Sequence, residues 1–249
     1  MLSNGSREKI MINMLFKFLF RQVEKFEFFM EPMRSKRHYS RNLYNVIKER
    51  AVNSSADFVE QHLTSSLVFR KREIIQDYTV EKLIENYSFG KCLEFGVATG
   101  YSINRISKKL NNFDFYGFDS FEGLVEDWVG TDVKKKAFSQ QGRLPKVHSN
   151  VTLIKGWFNE TLPPFLSEND MSDVRLIHID SDTYESATIV FKEIGPYLRS
   201  GLFILFDELI GYPNWQNGEY KALIEAQKTF GFEYRFLAFT TEQALIEIV

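Results

Sequence analysis

Lys91-Cys-Leu-Glu-Phe-Gly-Val-Ala-Thr-Gly-Tyr-Ser102 decides the fold. An apolar run from Lys91 to Phe95 enters a turn with glycines at 96 and 100, and a helical pattern starts at Ser102. Strand, glycine turn and helix in that order bring backbone N–H groups close to a polar ligand above a parallel sheet. The alternation continues downstream. Short apolar runs at 113–118, 151–155, 174–179 and 202–206 are separated by amphipathic stretches near 102–110, 184–198 and 218–230. This pattern predicts βα units in an α/β, Rossmann-like fold. Residues 232–239 and 243–249 flank Thr240-Thr241-Glu242 and alternate as a C-terminal β-hairpin does, giving a mainly parallel seven-stranded sheet.

Upstream, residues 7–31 carry apolar side chains around the helical circumference, among them Ile10, Phe18 and Phe26, and more helix is expected over 40–87. The expected division is an N-terminal helical extension, 1–87, and an α/β domain, 88–249. The aromatic helix is expected to cap that domain or to join copies into a homo-oligomer. Lys17, Arg21, Glu24, Lys25 and Glu27 interrupt it, which excludes a bilayer span and a signal-peptide core.

A formal charge of -2 supplies no field that would draw the chain to nucleic acid, so a small-molecule partner is expected. Cys92 is the single cysteine, which rules out an internal disulfide and a cysteine metal cluster. The expected location is the cytoplasm.

The turn has the spacing Glu94-x-Gly96-x-x-x-Gly100 rather than the G-x-G-x-x-G of dinucleotide sites. An acid beside the first glycine would repel a pyrophosphate but suits an ammonium group. Ser102 can hydrogen-bond a carboxylate, so the pair fits a zwitterion. Asp119 ends the next strand, where such folds place an acid on ribose hydroxyls. Gly156 and Trp157 follow the third strand and offer an aromatic face for adenine. Glycine turns are common and Trp157 alone could be core; it is the ordered set that points to a nucleoside bearing an amino acid.

Asp180 and Asp182 follow the fourth strand, and Asp207 and Glu208 follow the fifth. Ends of adjacent parallel strands converge, so the four carboxylates can meet in one cleft, where they need a compensating cation. A hard divalent metal with oxygen ligands meets that need, Mg²⁺ first, with Mn²⁺ or Fe²⁺ as alternatives. Capping of following helices by Asp182 and Asp207 is the competing account. Tyr212 and Trp215 lie on the loop after the fifth strand, as stacking platforms for a sugar or as packing against the N-terminal helices. His178 alternates with Ile177 and Ile179 and reads as a core histidine.

Leu93 to Ser102 resembles the cofactor loop of catechol-type O-methyltransferases, which use S-adenosylmethionine (SAM). Gly117-Phe-Asp-Ser-Phe-Glu-Gly-Leu124 and Gly156-Trp-Phe-Asn-Glu-Thr-Leu-Pro163 resemble the macrocin-type (macrolide-sugar) O-methyltransferases more closely. The resemblance covers about residues 90–249. It implies the class I methyltransferase fold, SAM as cofactor, and a divalent metal held by Asp180 or Asp182 with Asp207 and Glu208. A sugar hydroxyl, that of a nucleotide-activated sugar from surface-polysaccharide or natural-product synthesis, is the acceptor it implies. Two departures matter. Thr183 stands where catechol enzymes have a lysine base, which argues against a phenolic substrate; Asp182 is the expected base if Asp180 takes the metal. Glu208 replaces the second Asp of the macrocin-type pair. An NAD-dependent sugar oxidoreductase or epimerase would need a glycine spacing absent here; a non-catalytic SAM-fold binding protein is the other alternative.

Overall fold

A computed structural model of the protein describes residues 42–249. The helix expected over 7–31, and the oligomer contact expected of it, lie outside the described residues. Two helices, α1 (Leu43–Glu60) and α2 (Arg72–Asn86), occupy the stretch read as helical, and β1 (Leu67–Val68) lies between them. β1 pairs in parallel with the hairpin strand β7, Leu67 opposite Ala238. The sheet therefore has eight strands, not seven. Two residues are too few to print a periodicity on the sequence.

The remaining elements follow in alternation: β2 (Gly90–Phe95), α3 (Tyr101–Ser107), β3 (Phe113–Asp119), β4 (Val151–Lys155), α4 (Phe158–Glu168), β5 (Val174–Ile179), α5 (Tyr184–Ile194), β6 (Phe203–Phe206), α6 (Glu219–Phe230), β7 (Tyr234–Phe239) and β8 (Ala244–Ile248). The compact unit carrying the sheet is Arg50–Val249. Its strand order is β1-β7-β8-β6-β5-β2-β3-β4, with β2 to β6 parallel and β8 antiparallel to both β6 and β7.

Central strands read as near-continuous apolar runs because both faces are covered. Leu93, Phe95, Ile177, Ile179, Ile204 and Phe206 share one core cluster, with buried residues of α4, α5 and α6. Their neighbours Cys92, Leu176, Phe203 and Leu205 belong to a second cluster, with Ile75 of α2 and Ile103 of α3. The period-2 alternation of strands thus sorts adjacent residues onto opposite layers.

Helix α4 escaped the sequence reading because Pro163 and Pro164 lie inside it. Each proline lacks an N–H to donate and argues against a helix on propensity alone. Burial of Leu162, Phe165 and Leu166 along one face overrides that preference. No helix among the described residues is long and apolar enough to cross a membrane.

Candidate active site

Five parallel strands end on one edge of the sheet in the spatial order β6, β5, β2, β3, β4. Read across that edge, the residues after each strand are Asp207 and Glu208, then Asp180 and Asp182, then the glycine turn, then Asp119, then Gly156 and Trp157. All but Gly100 of the turn line a single cavity of about 580 Å³. That volume lies in the range of small-molecule and cofactor sites.

The glycine turn is shaped by what passes beneath it. Gly96 has φ +96°, and a Cβ there would collide with the backbone carbonyl of Asp180. Gly100 precedes α3 with φ +78° and donates its N–H to the carbonyl of Val97 at 2.7 Å. Both glycines therefore hold backbone conformations that other residues rarely adopt. Asp119 ties β3 to this turn: one carboxylate oxygen accepts from the N–H groups of Val97 and Ala98 at 2.9 and 2.7 Å, the other from Phe121 at 2.6 Å.

Glu94 departs from the sequence expectation. It is buried, does not line the cavity and accepts a 2.8 Å hydrogen bond from the Ser102 hydroxyl. Its other oxygen lies 2.9 Å from Nδ1 of His178. The β2–β5 register sets Glu94 directly opposite His178, which explains the second contact. Ser102 lines the cavity but gives its hydroxyl hydrogen to Glu94, so toward a ligand it can act only as an acceptor. His178 is a buried residue paired with an acid, a refinement of the core reading.

The four acids do converge. Carboxylate oxygens of Asp180, Asp182 and Glu208 lie within 4.8 Å of one another, and ligand atoms of His178, Asp180 and Asp207 form a second such group. Burial, then the charges of Asp207 and its neighbours, pushes the carboxyl groups of Asp180 and Glu208 well above the usual range. For the same reasons Asp182 is raised to about 7. Oε2 of Glu208 is buried without a hydrogen-bond partner. Helix capping does not account for these acids. Thr183, not Asp182, caps α5 by accepting from the Ser186 N–H, and Asp207 precedes irregular chain rather than a helix.

Asp207 has partners that the sequence did not reveal. Nη2 of Arg72, at the start of α2, lies 2.8 and 2.6 Å from its two oxygens. The side-chain amide of Gln243, on the hairpin turn, donates to Oδ1. Burial alone would lower the pKa of Arg72, but the charges of Asp207, Asp180 and Glu208 outweigh it and raise it. Glu219, at the start of α6, accepts from the N–H and hydroxyl of Ser181 at 3.2 Å each. Burial and the nearby Asp182 lift its carboxyl group to about 8. No local motif marks these three residues; they reach the site through long-range packing.

Trp215 is corrected. It is buried against Phe58 and Tyr220, with ring centroids 5.4 and 5.2 Å away, and its indole N–H donates to Ser54 at 3.1 Å. A ring enclosed on these sides offers no open face to a sugar, and the packing account holds. Tyr212 lies 5.3 Å from the ring of Trp128 and lines a smaller cavity of about 130 Å³, which shares Asp182 with the main one.

Residues 93–209, from the glycine turn through Glu208, match the family model described as a methyltransferase domain. The chain has the fold of the class I methyltransferases, and residues 93–209 are similar to a methyltransferase domain. Solved structures of two methyltransferases resemble it. CalS11, a calicheamicin methyltransferase, is 24% identical, with a TM-score of 0.57 over 70% of this chain and 77% of that one. Its apo structure, described as a TDP-rhamnose 3'-O-methyltransferase, is 23% identical with a TM-score of 0.51, over 70% and 78% of the two chains. The O-methyltransferase NovP is 20% identical with a TM-score of 0.52, over 71% and 78%. At these identities the likeness establishes the fold. No curated protein matches the chain. The strand-end residues of the methyltransferase domain thus sit where doubly wound sheets bind ligands, outside the carboxyl ends of the strands.

Proposed function

We propose that the chain transfers the methyl group of SAM to a hydroxyl of a sugar, in the form of a nucleotide-activated sugar from surface-polysaccharide or natural-product synthesis, with a divalent cation at the acidic cluster. One observation carries this reading: the carboxylates of Asp180, Asp182 and Glu208 meet within 4.8 Å of one another beside the cofactor turn. The acceptor class rests on CalS11, described as a TDP-rhamnose 3'-O-methyltransferase. Residues 88–249 form the catalytic domain in this reading and 1–87 its extension. It also places the protein in the cytoplasm as a homo-oligomer.

The nucleoside end of SAM lies over β3 and β4, with Asp119 toward the ribose and Gly156 and Trp157 against the adenine. The methionine end runs over Gly96 and Gly100, and Ser102 accepts from its ammonium group. Glu94 then acts from behind, fixing the Ser102 hydroxyl and supplying negative charge one residue removed.

The donor set fits a hard cation. Buried carboxylates raised in pKa are acids in want of positive charge, and Oε2 of Glu208 has no other partner. Asp180 and Glu208 would hold such a cation, and Asp207, bonded to Arg72, would be a further ligand if freed. A bound Mg²⁺, or Mn²⁺ or Fe²⁺, would act as a Lewis acid that lowers the pKa of a substrate hydroxyl. Asp182 takes the proton. It borders both cavities and so faces the cluster and the acceptor side at once. The sugar enters through the smaller cavity, against Tyr212 and Trp128. Positioning and electrostatic stabilisation supply most of the rate.

The direct test is methyl transfer from labelled SAM to a panel of nucleotide sugars and the corresponding free sugars. Transfer to a sugar oxygen of one panel member supports the reading. Tight SAM binding with no transfer to any sugar, and transfer instead to a phenol, would reassign the acceptor.

A further inference from the structure

Five carboxylates line the main cavity, Asp119, Asp180, Asp182, Asp207 and Glu208, and among the described residues that line it there is one cation, Arg72. SAM brings a carboxylate of its own into this acidic cleft. Burying that group unpaired would be costly, so it needs a positive partner.

Arg72 stands at the right place. Its guanidinium carbon is 6.0 Å from the ring centroid of Tyr101, the first residue of α3 and the neighbour of Ser102. Arg72 thus spans from the end of the glycine turn to Asp207 after β6. Asp119 and Trp157, where the nucleoside is expected, lie beyond β2 on the other side, over β3 and β4. An amino acid extending from a nucleoside there reaches toward Arg72.

The arginine is also under-used. Both of its bonds to Asp207 leave from Nη2, so the pair is not the two-nitrogen fork that guanidinium makes with a carboxylate. Its side chain is 44% exposed, which leaves it room to turn. A planar, permanently charged fork matches a carboxylate better than any other side chain does.

We propose that Arg72 binds the methionine carboxylate of SAM, exchanging Asp207 for that group as the cofactor enters. Asp207 is thereby released to the cation at the acidic cluster. Cofactor and cation binding then assist one another, each removing a competitor of the other. This inference rests on SAM as the cofactor and not on the identity of the acceptor.

Titration calorimetry without acceptor tests it, using SAM and decarboxylated SAM on the wild type, Arg72→Gln and Arg72→Lys, with Mg²⁺ present. The wild type is expected to bind SAM about 10-fold or more tighter than the decarboxylated form. Arg72→Gln is expected to lose that preference by binding SAM more weakly while its affinity for decarboxylated SAM is unchanged, and Arg72→Lys to keep part of it. Equal weakening for both ligands would assign Arg72 a purely structural role and overturn the proposal. Should Arg72→Gln not fold, a wild type that binds the two ligands equally well overturns it as surely. A wild type that binds neither would remove the cofactor reading itself, which an acceptor failure would leave intact.

Discussion

Nη2 of Arg72 lies 2.6 Å from Oδ2 of Asp207, joining the first residue of α2 to the end of β6 in the lining of the main cavity. Asp207→Asn keeps the shape of that contact and removes its charge. Turnover is expected to fall roughly 100-fold or more, because the residue is then a poorer ligand at the developing charge. SAM affinity is expected to hold or rise, since Arg72 loses its competing partner. Calorimetry that finds SAM binding lost would assign Asp207 to the cofactor instead.

Gly96→Ala is expected to damage both stability and cofactor binding. The added Cβ meets the Asp180 carbonyl in a backbone conformation that already disfavours alanine. Backbone strain alone costs about 1–3 kcal/mol. Thermal melting should drop and SAM affinity with it, because the turn and the strand-five acid cannot both keep their places. An unchanged melting temperature would mean that the turn adjusts freely.

Glu219 gives the chain a pH dependence of definite sign. Burial, then Asp182, raises it from an ordinary 4.5 to about 8, against the two bonds from Ser181. Between those values the folded chain keeps a proton that the unfolded chain releases. Stability therefore falls as pH rises from about 4.5 to about 8 and levels off above. Glu219→Gln should flatten that part of the curve in melts recorded at a series of pH values. Parallel curves for the two proteins would show that Glu219 does not carry the slope.

Trp215→Ala is expected to act on stability rather than on the acceptor. The ring is 3% exposed, and truncating an aromatic core residue costs about 3–5 kcal/mol. The conservative Trp215→Phe should restore most of the stability and leave KM for the acceptor unchanged. A selective rise in KM with Trp215→Phe would return this residue to the substrate site.

Strands β3, β4 and β5 begin at the residues their apolar runs indicate, at Phe113, Val151 and Val174. β1 and α4 did not, one for its two residues and the other for its paired prolines. At the site, strand ends were legible because parallel topology carries Gly96, Asp119, Trp157, Asp180 and Asp207 to one edge. What those residues touch was not. Glu94 bonds His178 because the two sit opposite one another in the register, and Arg72 and Gln243 reach Asp207 from 135 and 36 residues away along the chain. Such contacts depend on which elements pack together, and no window of sequence contains them.

The central claim, methyl transfer assisted by a cation at the acidic cluster, is tested most directly by chelation. Purified protein is assayed for transfer from SAM to a sugar acceptor with EDTA, then with Mg²⁺ or Mn²⁺ restored in excess. Turnover lost in EDTA and recovered with the divalent ion, while SAM affinity survives chelation within a few-fold, is the expected result. Full activity in EDTA would contradict it.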